Sequence, residues 1–455
     1  MTDLRPDSRT LYRSGESPFH QRAAFTGGDV PVAVYGLGKM GLPLAAVYAD
    51  VTGNTIGVDV DPEVVAQIND SDSPITREPG LSDLVADVVD RGAFRATTSG
   101  EEAASRAAVH VVIVPTLLTD EREPDLSMLR EVLGTIQQGL SPGNLVVIES
   151  TVPPRTTEDV VVPALSAKSG LDPGAFGAAA CPERTVSGQA LADIRGTHPK
   201  VVGGVDAEST RIAGMIYDEI SSNRVLEVAD ATTAEAVKVF EGVYRDVNIA
   251  LANQLALYAR ELDIDVTDAI DVANTQPFCE IHDPGPGVGG HCIPVYPYFL
   301  SGAFEADSGL FEAARAMNDR MPSHTVAMLE AVLDAHGQPI EGSEILLLGL
   351  TYKAGIDELR NAPAVPIAWQ LDDRGATVSG ADPVLSDWES VDVVEQVPVD
   401  SVTDRDPDAV VVVTPHESVR SVDYDAVDAP ILDGRGALDA DEVDGPVYRI
   451  GGRWP

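Results

Sequence analysis

Cysteine and lysine are both scarce in this sequence of 455 residues. The few cysteines exclude some kinds of site, and the few lysines are candidates for functional residues. Three cysteines without a close Cys-x-x-Cys pair exclude a disulfide framework and a cysteine-based zinc site, and we predict no metal site. The five lysines are Lys39, Lys168, Lys200, Lys238 and Lys353. Because arginine and acidic residues fill the surface instead, each remaining lysine is a candidate for a specific task.

Positive charge and long apolar runs are missing as well. With 73 acidic and 31 basic residues the formal net charge is -42, so we predict no binding to nucleic acid or to an anionic membrane. The absence of an eighteen-residue apolar run and of an N-terminal apolar segment favours a cytoplasmic protein. The acidic residues are spread along the chain, a pattern that favours a halophilic origin because salt screens their mutual repulsion.

The pattern of apolar runs divides the chain into four predicted segments. Residues 1–29 are polar and predict a flexible tail. Residues 30–206 alternate apolar runs with helical patterns, which predicts a doubly wound parallel sheet, an N-terminal Rossmann-like NAD domain. Residues 207–335 carry long helical patterns and predict a central helical dimerisation domain, although a plain core helix explains the same pattern. Residues 336–455 return to short apolar runs and predict a smaller Rossmann-like domain.

A glycine motif, GLGKMG, lies between the first two apolar runs, from Gly36 to Gly41. Its first glycine permits a tight turn, Gly38 lets a pyrophosphate approach the backbone, and the third allows close helix packing. Asp59 ends the next run about twenty residues on, where a carboxylate suits a ribose hydroxyl. The motif therefore predicts NAD rather than NADP.

The stretch GPGVGGHCIP places Cys292 on a constrained loop between glycines and Pro294. A lone cysteine is more often a buried, inert residue, but this glycine-rich setting favours a reactive thiolate. Because neighbouring side chains of an extended chain point apart, His291 need not be the base that activates the thiol.

Lys238 stands in a long apolar-rich helical pattern, with Arg245 two turns later on the same face and Asn248 beyond. A scarce lysine in that position favours a functional role over a surface lysine. In the segment CPER, Glu183 follows an apolar strand pattern and is either a general base or an ion-pair partner of Arg184.

A second basic cluster follows the first strand of the C-terminal segment. Lys353 lies in GLTYK and Arg360 lies downstream. Basic side chains near such a strand end suit a phosphate-bearing ligand, whereas the alternative is a pair of charges on a surface loop.

Together, these motifs resemble the UDP-glucose/UDP-N-acetylmannosamine dehydrogenase family from about Val30 to the C-terminus. The resemblance is carried by GLGKMGLPLA, VPTLLTDEREPDLS, ESTVPP, CPERTVSG, KVFEGVYRDVNIALAN, GPGVGGHCIP and GLTYKAGIDELRNAP. The pair His291-Cys292 is similar to the branch that acts on N-acetylated hexosamine nucleotides, above all archaeal UDP-N-acetyl-D-mannosamine dehydrogenases.

This resemblance implies an NAD-dependent four-electron oxidation of the C6 alcohol of a UDP-sugar to the uronic acid, by a homodimer or larger oligomer. UDP-N-acetyl-D-mannosamine is the expected substrate, and UDP-N-acetylglucosamine and UDP-glucose are the alternatives. Residues 340–455 and Cys292 argue against a β-hydroxyacid dehydrogenase, which has a similar glycine motif and helical domain.

The resemblance also implies roles for individual residues. Cys292 is the nucleophile, Glu183 the base for thioester hydrolysis, Lys238 the group that stabilises an oxyanion, and Thr151 holds a water or the sugar. The expected NAD-binding residues are Gly36, Leu37, Gly38, Met40, Gly41, Asp59, Thr116 and Thr151. The expected substrate-binding residues are Glu183, Arg184, Lys238, Arg245, Asn248, His282, Gly289, Lys353 and Arg360.

Three positions depart from the family pattern. Gly242 replaces an asparagine one helical turn after the lysine, Tyr296 replaces an aspartate four residues after the cysteine, and Phe278 replaces a basic residue. Arg245, Asn248 and His282 are candidates to take over the missing roles. The departures keep a non-catalytic nucleotide-sugar-binding protein open as an alternative.

Overall fold

The computed structural model describes residues 10–440 and 442–453 of the chain. The chain forms two compact units. The first runs as far as Phe240 and also contains Tyr298–Phe304, and the second comprises Glu241–Pro297 and the chain from Glu305 onward. Each unit contains a sheet of mainly parallel strands, so the predicted α/β fold class is confirmed.

The N-terminal segment is ordered by its apolar side chains. Helix α1, Pro18–Thr26, begins after Ser17, whose hydroxyl accepts the His20 N–H at 3.3 Å. Leu11, Tyr12 and Phe25 are buried, and the Tyr12 hydroxyl donates to Asp206 at 2.6 Å. The predicted flexible tail over residues 1–29 is therefore wrong for residues 10–29, and residues 1–9 lie outside the described residues.

The strands of the first unit follow the apolar runs of the sequence. They are β1 Val32–Tyr35, β2 Thr55–Val58, β3 Phe94–Thr97, β4 Val109–Val112, β5 Leu117–Leu118, β6 Pro124–Asp125, β7 Leu145–Ile148, β8 Gly177–Ala180, β9 Lys200–Gly204 and β10 Val225–Glu227. Eight of them form one sheet in the order β10-β9-β8-β7-β4-β1-β2-β3, and β5 and β6 form a separate antiparallel pair.

This sheet differs from the prediction at one edge. Strand β9 runs antiparallel to β8, and β10 then pairs in parallel with β9. Since β10 extends the first sheet, the predicted helical domain at 207–335 begins too early, inside the first unit. The three residues of β10 are too few to give a strand signal in a region of helical patterns.

Helices cover both faces of the first sheet. Val32 and Val34 of β1 belong to one hydrophobic core, and Ala33 and Tyr35 belong to the other, as the alternation of side chains along a strand requires. The helices after α1 are α2 Gly41–Thr52, α3 Pro62–Asn69, α4 Leu81–Asp90, α5 Gly100–Arg106, α6 Ser127–Gly139, α7 Val162–Ser169, α8 Ala190–Ala192 and α9 Ala207–Ile220, with π-helical segments at Thr157–Val161 and Asp193–Thr197.

Long helices dominate the middle of the chain. They are α10 Ala231–Ala256, α11 Ala259–Leu262, α12 Val266–Ala273, α13 Tyr296–Ser301 and α14 Gly309–Ala335. Polar contacts tie α10 to α14 within the second unit: buried Asp246 accepts from Arg315 at 2.5 Å and from the Asn318 amide at 2.8 Å. Among the described residues, no helix combines the length and the apolarity that crossing a bilayer requires.

The sheet of the second unit confirms the predicted C-terminal α/β domain. Its elements are β11 Glu344–Leu348, α15 Ala364–Asp372, β12 Thr377–Ala381, β13 Val394–Gln396, β14 Ala409–Val412, α16 Glu417–Arg420, β15 Ile431–Asp433 and β16 Val447–Arg449, with short 3₁₀ turns at Glu389–Val391, Val399–Asp404 and Tyr424–Ala426. The strand order is β13-β12-β11-β14-β15-β16, all parallel.

Candidate active site

The glycine turn joins β1 to α2 in the first unit, as the motif predicts. Gly36 has φ +97°, a left-handed backbone that glycine adopts freely. A Cβ at Gly41 would collide with the Gly36 carbonyl oxygen, so only glycine allows this close approach. The Leu37 N–H donates to Asp59 Oδ2 at 2.8 Å, which ties the turn to the acid after β2.

The turn has the features that a dinucleotide requires. A Cβ built at Gly38 meets no atom within 4 Å, which leaves open space above the backbone. Helix α2 starts directly afterwards, with no side chain capping its N-terminus at Met40. The Leu42 N–H donates to the Gly38 carbonyl oxygen at 3.0 Å and Pro43 has no N–H, so the helix dipole favours an anion at this end more than free N–H groups do. These residues therefore fit the pyrophosphate of NAD, with Asp59 near the expected ribose.

Two threonines lie beyond the neighbouring strands β4 and β7. The Thr116 hydroxyl donates to the Thr151 carbonyl oxygen at 2.5 Å, and both residues are half-buried. This bond fastens the loop after β4 to the loop after β7, at the carboxyl edge of the sheet where ligands bind in this architecture.

Glu183 and Lys238 come together in the first unit, although they are 55 positions apart in the sequence. Lys238 Nζ lies 3.9 Å from Glu183 Oε2, and the two side chains are only 11% and 18% exposed. The other carboxylate oxygen of Glu183 accepts the Thr185 N–H. Arg184, proposed as the ion-pair alternative, donates instead to the Pro199 carbonyl oxygen at 2.8 Å. The geometry favours the Glu183–Lys238 pair.

A buried ion pair beside Glu183 was missed by the sequence analysis. Lys200 Nζ contacts both carboxylate oxygens of Glu149, at 2.8 and 2.7 Å, and Tyr217 donates its hydroxyl to the same carboxylate. Burial raises the pKa of Glu149, and the Lys200 ammonium opposes that rise. The scarcity of lysine was the one sequence signal that pointed to Lys200.

Cys292 lies in the second unit, exposed, in the turn four residues before α13 begins. Its carbonyl oxygen accepts the Tyr296 N–H at 3.0 Å, and Gly290 before it has φ +89°. The other two cysteines are less accessible: Cys181 is buried and Cys279 is half-buried. Burial raises the pKa of the Cys181 thiol, which keeps it protonated.

The loop that carries Cys292 is fastened to the predicted nucleotide-binding segment of the same unit. The Gly290 N–H donates to the Arg360 carbonyl oxygen at 2.9 Å. His291 contacts Glu358 through Nε2 at 2.6 Å and Arg360 through Nδ1 at 3.2 Å. The His291 ring is thus engaged by two other residues, in agreement with the expectation that it need not activate the cysteine. The Arg360 side chain is exposed, as is Lys353.

A glycine in this loop permits a close contact with the same segment. A Cβ at Gly289 would lie 2.7 Å from the Cβ of Tyr352, so a larger residue there would push the two segments apart.

The remaining predicted substrate residues have mixed surroundings. Arg245 is exposed on α10. Asn248 donates to the Glu280 carbonyl oxygen at 2.6 Å and accepts the His282 N–H at 2.9 Å, so its amide fastens that segment to α10. The His282 ring packs edge-on against Tyr244, with 5.9 Å between the ring centroids.

Two of the departures from the family pattern touch each other. A Cβ at Gly242 would collide with the ring of Tyr296, and both residues are buried in the second unit. The tyrosine ring fills the space that a side chain at position 242 would need, so the two replacements are one structural change. The third departure, Phe278, is 94% exposed.

Comparison with known proteins agrees with these features over most of the chain. The models of the UDP-glucose/GDP-mannose dehydrogenase family match with the NAD binding domain over residues 30–221, the central domain over 232–320 and the UDP binding domain over 346–440. The chain belongs to this family.

Its relatives in sequence and structure include archaeal enzymes. A UDP-N-acetyl-D-mannosamine dehydrogenase of Pyrococcus horikoshii is 35% identical over 429 residues, which is 93% of this chain and 99% of that protein. The solved structure of a UDP-D-ManNAc dehydrogenase from the same organism covers 93% of this chain and 99% of its own, at 33% identity and a TM-score of 0.83. A UDP-glucose dehydrogenase structure from Pyrobaculum islandicum also has a TM-score of 0.83, at 26% identity, and covers 94% of this chain and 98% of its own.

Proposed function

We propose that this NAD-dependent dehydrogenase oxidises the C6 alcohol of UDP-N-acetyl-D-mannosamine to the uronic acid. The observation that carries the proposal is the exposed Cys292, held on a glycine-rich loop by the segment that contains Arg360. The names of the archaeal relatives support the choice of sugar. The chemistry needs a nucleophile that keeps the half-oxidised carbon on the enzyme, and an exposed thiol supplies one.

The Gly36–Gly41 turn and Asp59 would hold NAD, which would supply the oxidant for the C6 carbon, one NAD molecule for each of the two hydride transfers. The protein's own contribution starts once the aldehyde exists: the Cys292 thiolate adds to it and forms a thiohemiacetal. The second oxidation leaves a thioester on the same sulfur. This covalent hold prevents the aldehyde from leaving between the two steps.

Hydrolysis of the thioester is assigned to the pair in the first unit. Glu183 takes a proton from a water whose oxygen adds to the thioester carbon, and the carbon–sulfur bond then breaks to release the acid. Lys238 stabilises the negative oxygen that develops at that carbon. Because its ammonium group lies 3.9 Å from Glu183 Oε2, the two groups can act side by side on one reacting centre. Thr151 holds the water or the sugar.

Different residues bind the pyrophosphate and the sugar of the substrate. Lys353 and Arg360, both exposed basic residues of the second unit, bind the pyrophosphate of the UDP group. From the family pattern we expect Arg184 of the first unit and Gly289, Arg245 and His282 of the second to bind the sugar, and Asn248 supports His282 through its backbone contact.

A substrate panel tests the proposal. Turnover is measured as NADH formation with UDP-N-acetyl-D-mannosamine, UDP-N-acetylglucosamine and UDP-glucose, with kcat/KM compared among them. We expect the mannosamine sugar to exceed the others at least tenfold. Preference for another sugar would assign the chain to a different substrate branch. Binding of NAD and sugar without turnover in molar KCl would support the non-catalytic alternative.

Helix α10 suggests how two copies associate. Phe240, Tyr244 and Leu251 are 57%, 50% and 47% exposed, at spacings of four and seven residues that place them on one helical face. We propose that a second copy of the chain covers this face in a homodimer. Light scattering after size exclusion tests this, and Leu251→Asp is expected to shift the mass toward the monomer.

The acidic composition and the cofactor suggest the setting. We propose a halophilic enzyme of the cytoplasm, where NAD and nucleotide sugars are made. Its stability is expected to rise with KCl concentration, because salt screens the 42 excess negative charges.

A further inference from the structure

Lys200 is a scarce lysine that none of the assigned roles uses, yet it has a dense set of contacts. Its ammonium group contacts both oxygens of Glu149, at 2.8 and 2.7 Å, and the Pro182 carbonyl oxygen at 3.4 Å. It also lies 4.5 Å from the centre of the Tyr217 ring. The Glu149 side chain is only 1% exposed, so the pair is sequestered from solvent.

The pair holds the peptide group that joins Pro182 to Glu183, directly before the side chain of the proposed base. The Glu183 N–H donates to the Glu149 carbonyl oxygen at 3.0 Å, and Lys200 binds the carbonyl of the preceding Pro182. The strand end that carries Glu183 is therefore fixed through two bonds, one to the backbone and one to the side chain of the pair.

The pair and the base share one cavity. Glu183, Glu149, Lys200 and Tyr217 line it, together with Met40 of the glycine turn. A buried ion pair seldom stabilises a fold more than apolar residues of the same size, because desolvation offsets the attraction between the charges. An ion pair retained at this place is better explained by what it positions.

We propose that the Glu149–Lys200 pair positions Glu183 for thioester hydrolysis. The inference rests on the proposed function, in which Glu183 takes the proton of the attacking water while the thiolate of Cys292 leaves. Glu149 and Lys200 are positioning residues: they hold the peptide group before Glu183 and so orient its carboxylate for taking the proton of the attacking water. The two oxidations do not use Glu183 as a base, so they do not depend on the pair.

Two variants separate positioning from folding. Lys200→Met leaves an unpaired buried carboxylate and is expected to unfold part of the sample. Glu149→Gln/Lys200→Met removes both charges, so the fold is retained while the bond to the Pro182 carbonyl is lost. Lys168→Met, at an exposed lysine of α7, is the matched control.

Stopped-flow NADH formation and intact-mass analysis of the full chain give the readout, with UDP-N-acetyl-D-mannosamine and NAD. For the double variant we expect a burst of two NADH per active site at the wild-type rate, a steady-state rate at least tenfold lower, and a sugar adduct on Cys292. Because the oxidations are unaffected, kcat/KM for the sugar stays within about twofold, so KM falls together with kcat, and the control behaves like the wild type.

The outcomes test the positioning role of the Glu149–Lys200 pair separately from the proposed dehydrogenase function. A double variant with the wild-type steady-state rate, or one whose burst slows as much as its steady state, would overturn the positioning role while the wild-type turnover upholds the proposed function. A wild-type chain that neither turns over nor forms an adduct with any sugar of the panel would overturn both.

Discussion

In both sheets the first strand ends in the same kind of glycine turn, which contacts an aspartate. The two aspartates differ in their burial and in their partners. In each, a glycine with a left-handed backbone ends the first strand: Gly36 with φ +97° and Gly349 with φ +76°. In each, the next residue's N–H donates to an aspartate after the second strand, at 2.8 Å from Leu37 to Asp59 and at 2.8 Å from Leu350 to Asp382.

The surroundings of the two aspartates differ. Asp59 is half-exposed beside the open space at Gly38, and its second oxygen accepts the Asp61 N–H at 3.0 Å. Asp382 is buried and bonded to His416 Nε2 at 3.1 Å.

Thr351 stands where the first turn has Gly38, and its hydroxyl also contacts His416, at 2.9 Å. The same kind of turn thus places Asp59 where a ribose can reach it in the first unit, whereas in the second unit Asp382 is buried. This agrees with an NAD binding domain at one end of the chain and a UDP binding domain at the other.

The largest expected effect comes from closing the first turn. Gly41→Ala sets a methyl group against the Gly36 carbonyl oxygen, so the pyrophosphate site is lost. We expect NADH binding to weaken beyond detection and turnover to fall by roughly a thousandfold, about 4 kcal/mol, with UDP binding within twofold of wild type. Titration calorimetry with NADH and with UDP measures both.

Gly134→Ala, in the interior of α6 where a Cβ meets little, is the control for that change. Equal losses of NADH and UDP affinity in Gly41→Ala would contradict a division of labour between the two sheets.

The second-largest expected effect comes from removing His416, the hydrogen-bond donor to Asp382 in the second unit. His416→Leu leaves the buried Asp382 carboxylate without its ring donor, which destabilises the fold by about 3 kcal/mol. The loop that carries Lys353 loses an anchor, because His416 Nδ1 accepts the Gly355 N–H at 3.2 Å. We expect UDP affinity to fall at least tenfold with NADH affinity unchanged, measured by calorimetry and urea denaturation.

His336→Leu provides the matched histidine replacement, since His336 is exposed in the same unit. The account of the second turn fails if His416→Leu binds UDP as tightly as this control does.

Two buried acids, one in each unit, are expected to respond to pH in opposite directions. Burial raises the pKa of Glu235 in the first unit to about 7 from 4.5, although two bonds from Thr157 oppose this. In the second unit burial alone raises the pKa of Asp382, but hydrogen bonds from His416 and the Thr351 N–H outweigh it and hold the pKa below its usual range. Asp382 therefore contributes stability above its unfolded pKa and loses it only in strong acid.

Glu235 contributes stability that is full below pH 4.5 and is lost as the pH rises to about 7. That loss is about 3 kcal/mol, from about 1.4 kcal/mol per pKa unit. Glu235→Gln removes this pH dependence, whereas Glu63→Gln, at an exposed acid, retains it. Urea denaturation at pH 5 and pH 7.5 measures the difference, and a wild-type free energy of unfolding that rises over this range would contradict the assignment.

The smallest expected effect lies at Gly242 and Tyr296, the two contacting positions that depart from the family pattern. Gly242→Ala forces a methyl group into the Tyr296 ring and costs about 2 kcal/mol of stability. Tyr296→Ala opens that space, so the double variant is less destabilised than the sum of the single changes. A double-mutant cycle by thermal denaturation measures the coupling, and additive single effects would show that the two positions are independent.

Sequence reasoning captured the parts of the fold and site that are local. The turn Gly36–Gly41, its strands and Asp59 lie within one βαβ pattern, and the strands of the second sheet are continuous apolar runs. NAD followed from the glycine motif and Asp59, and the family followed from seven short motifs spread from Gly36 to Pro363. The substrate, the residue roles and the oligomer remain predictions.

The features that were missed depend on distant partners. The ordered N-terminal segment rests on Tyr12 bonded to Asp206, 194 positions away, so its polar composition was misleading. Lys200 meets Glu149 across 51 positions, and neither residue lies in a pattern that shows the contact. His416 likewise forms a hydrogen bond with Asp382, 34 positions away in the sequence. Such pairs exist only once the sheet has brought its strand ends to one edge.

The claim that one sulfur holds the sugar through both oxidations is tested most directly by stoichiometry. Wild-type protein is given limiting UDP-N-acetyl-D-mannosamine, excess NAD and semicarbazide as an aldehyde trap, and NADH and trapped aldehyde are counted. We predict two NADH per sugar, no trapped aldehyde, and no uronic acid from Cys292→Ala. One NADH per sugar with the aldehyde in the trap, or uronic acid formed by Cys292→Ala, would contradict the account.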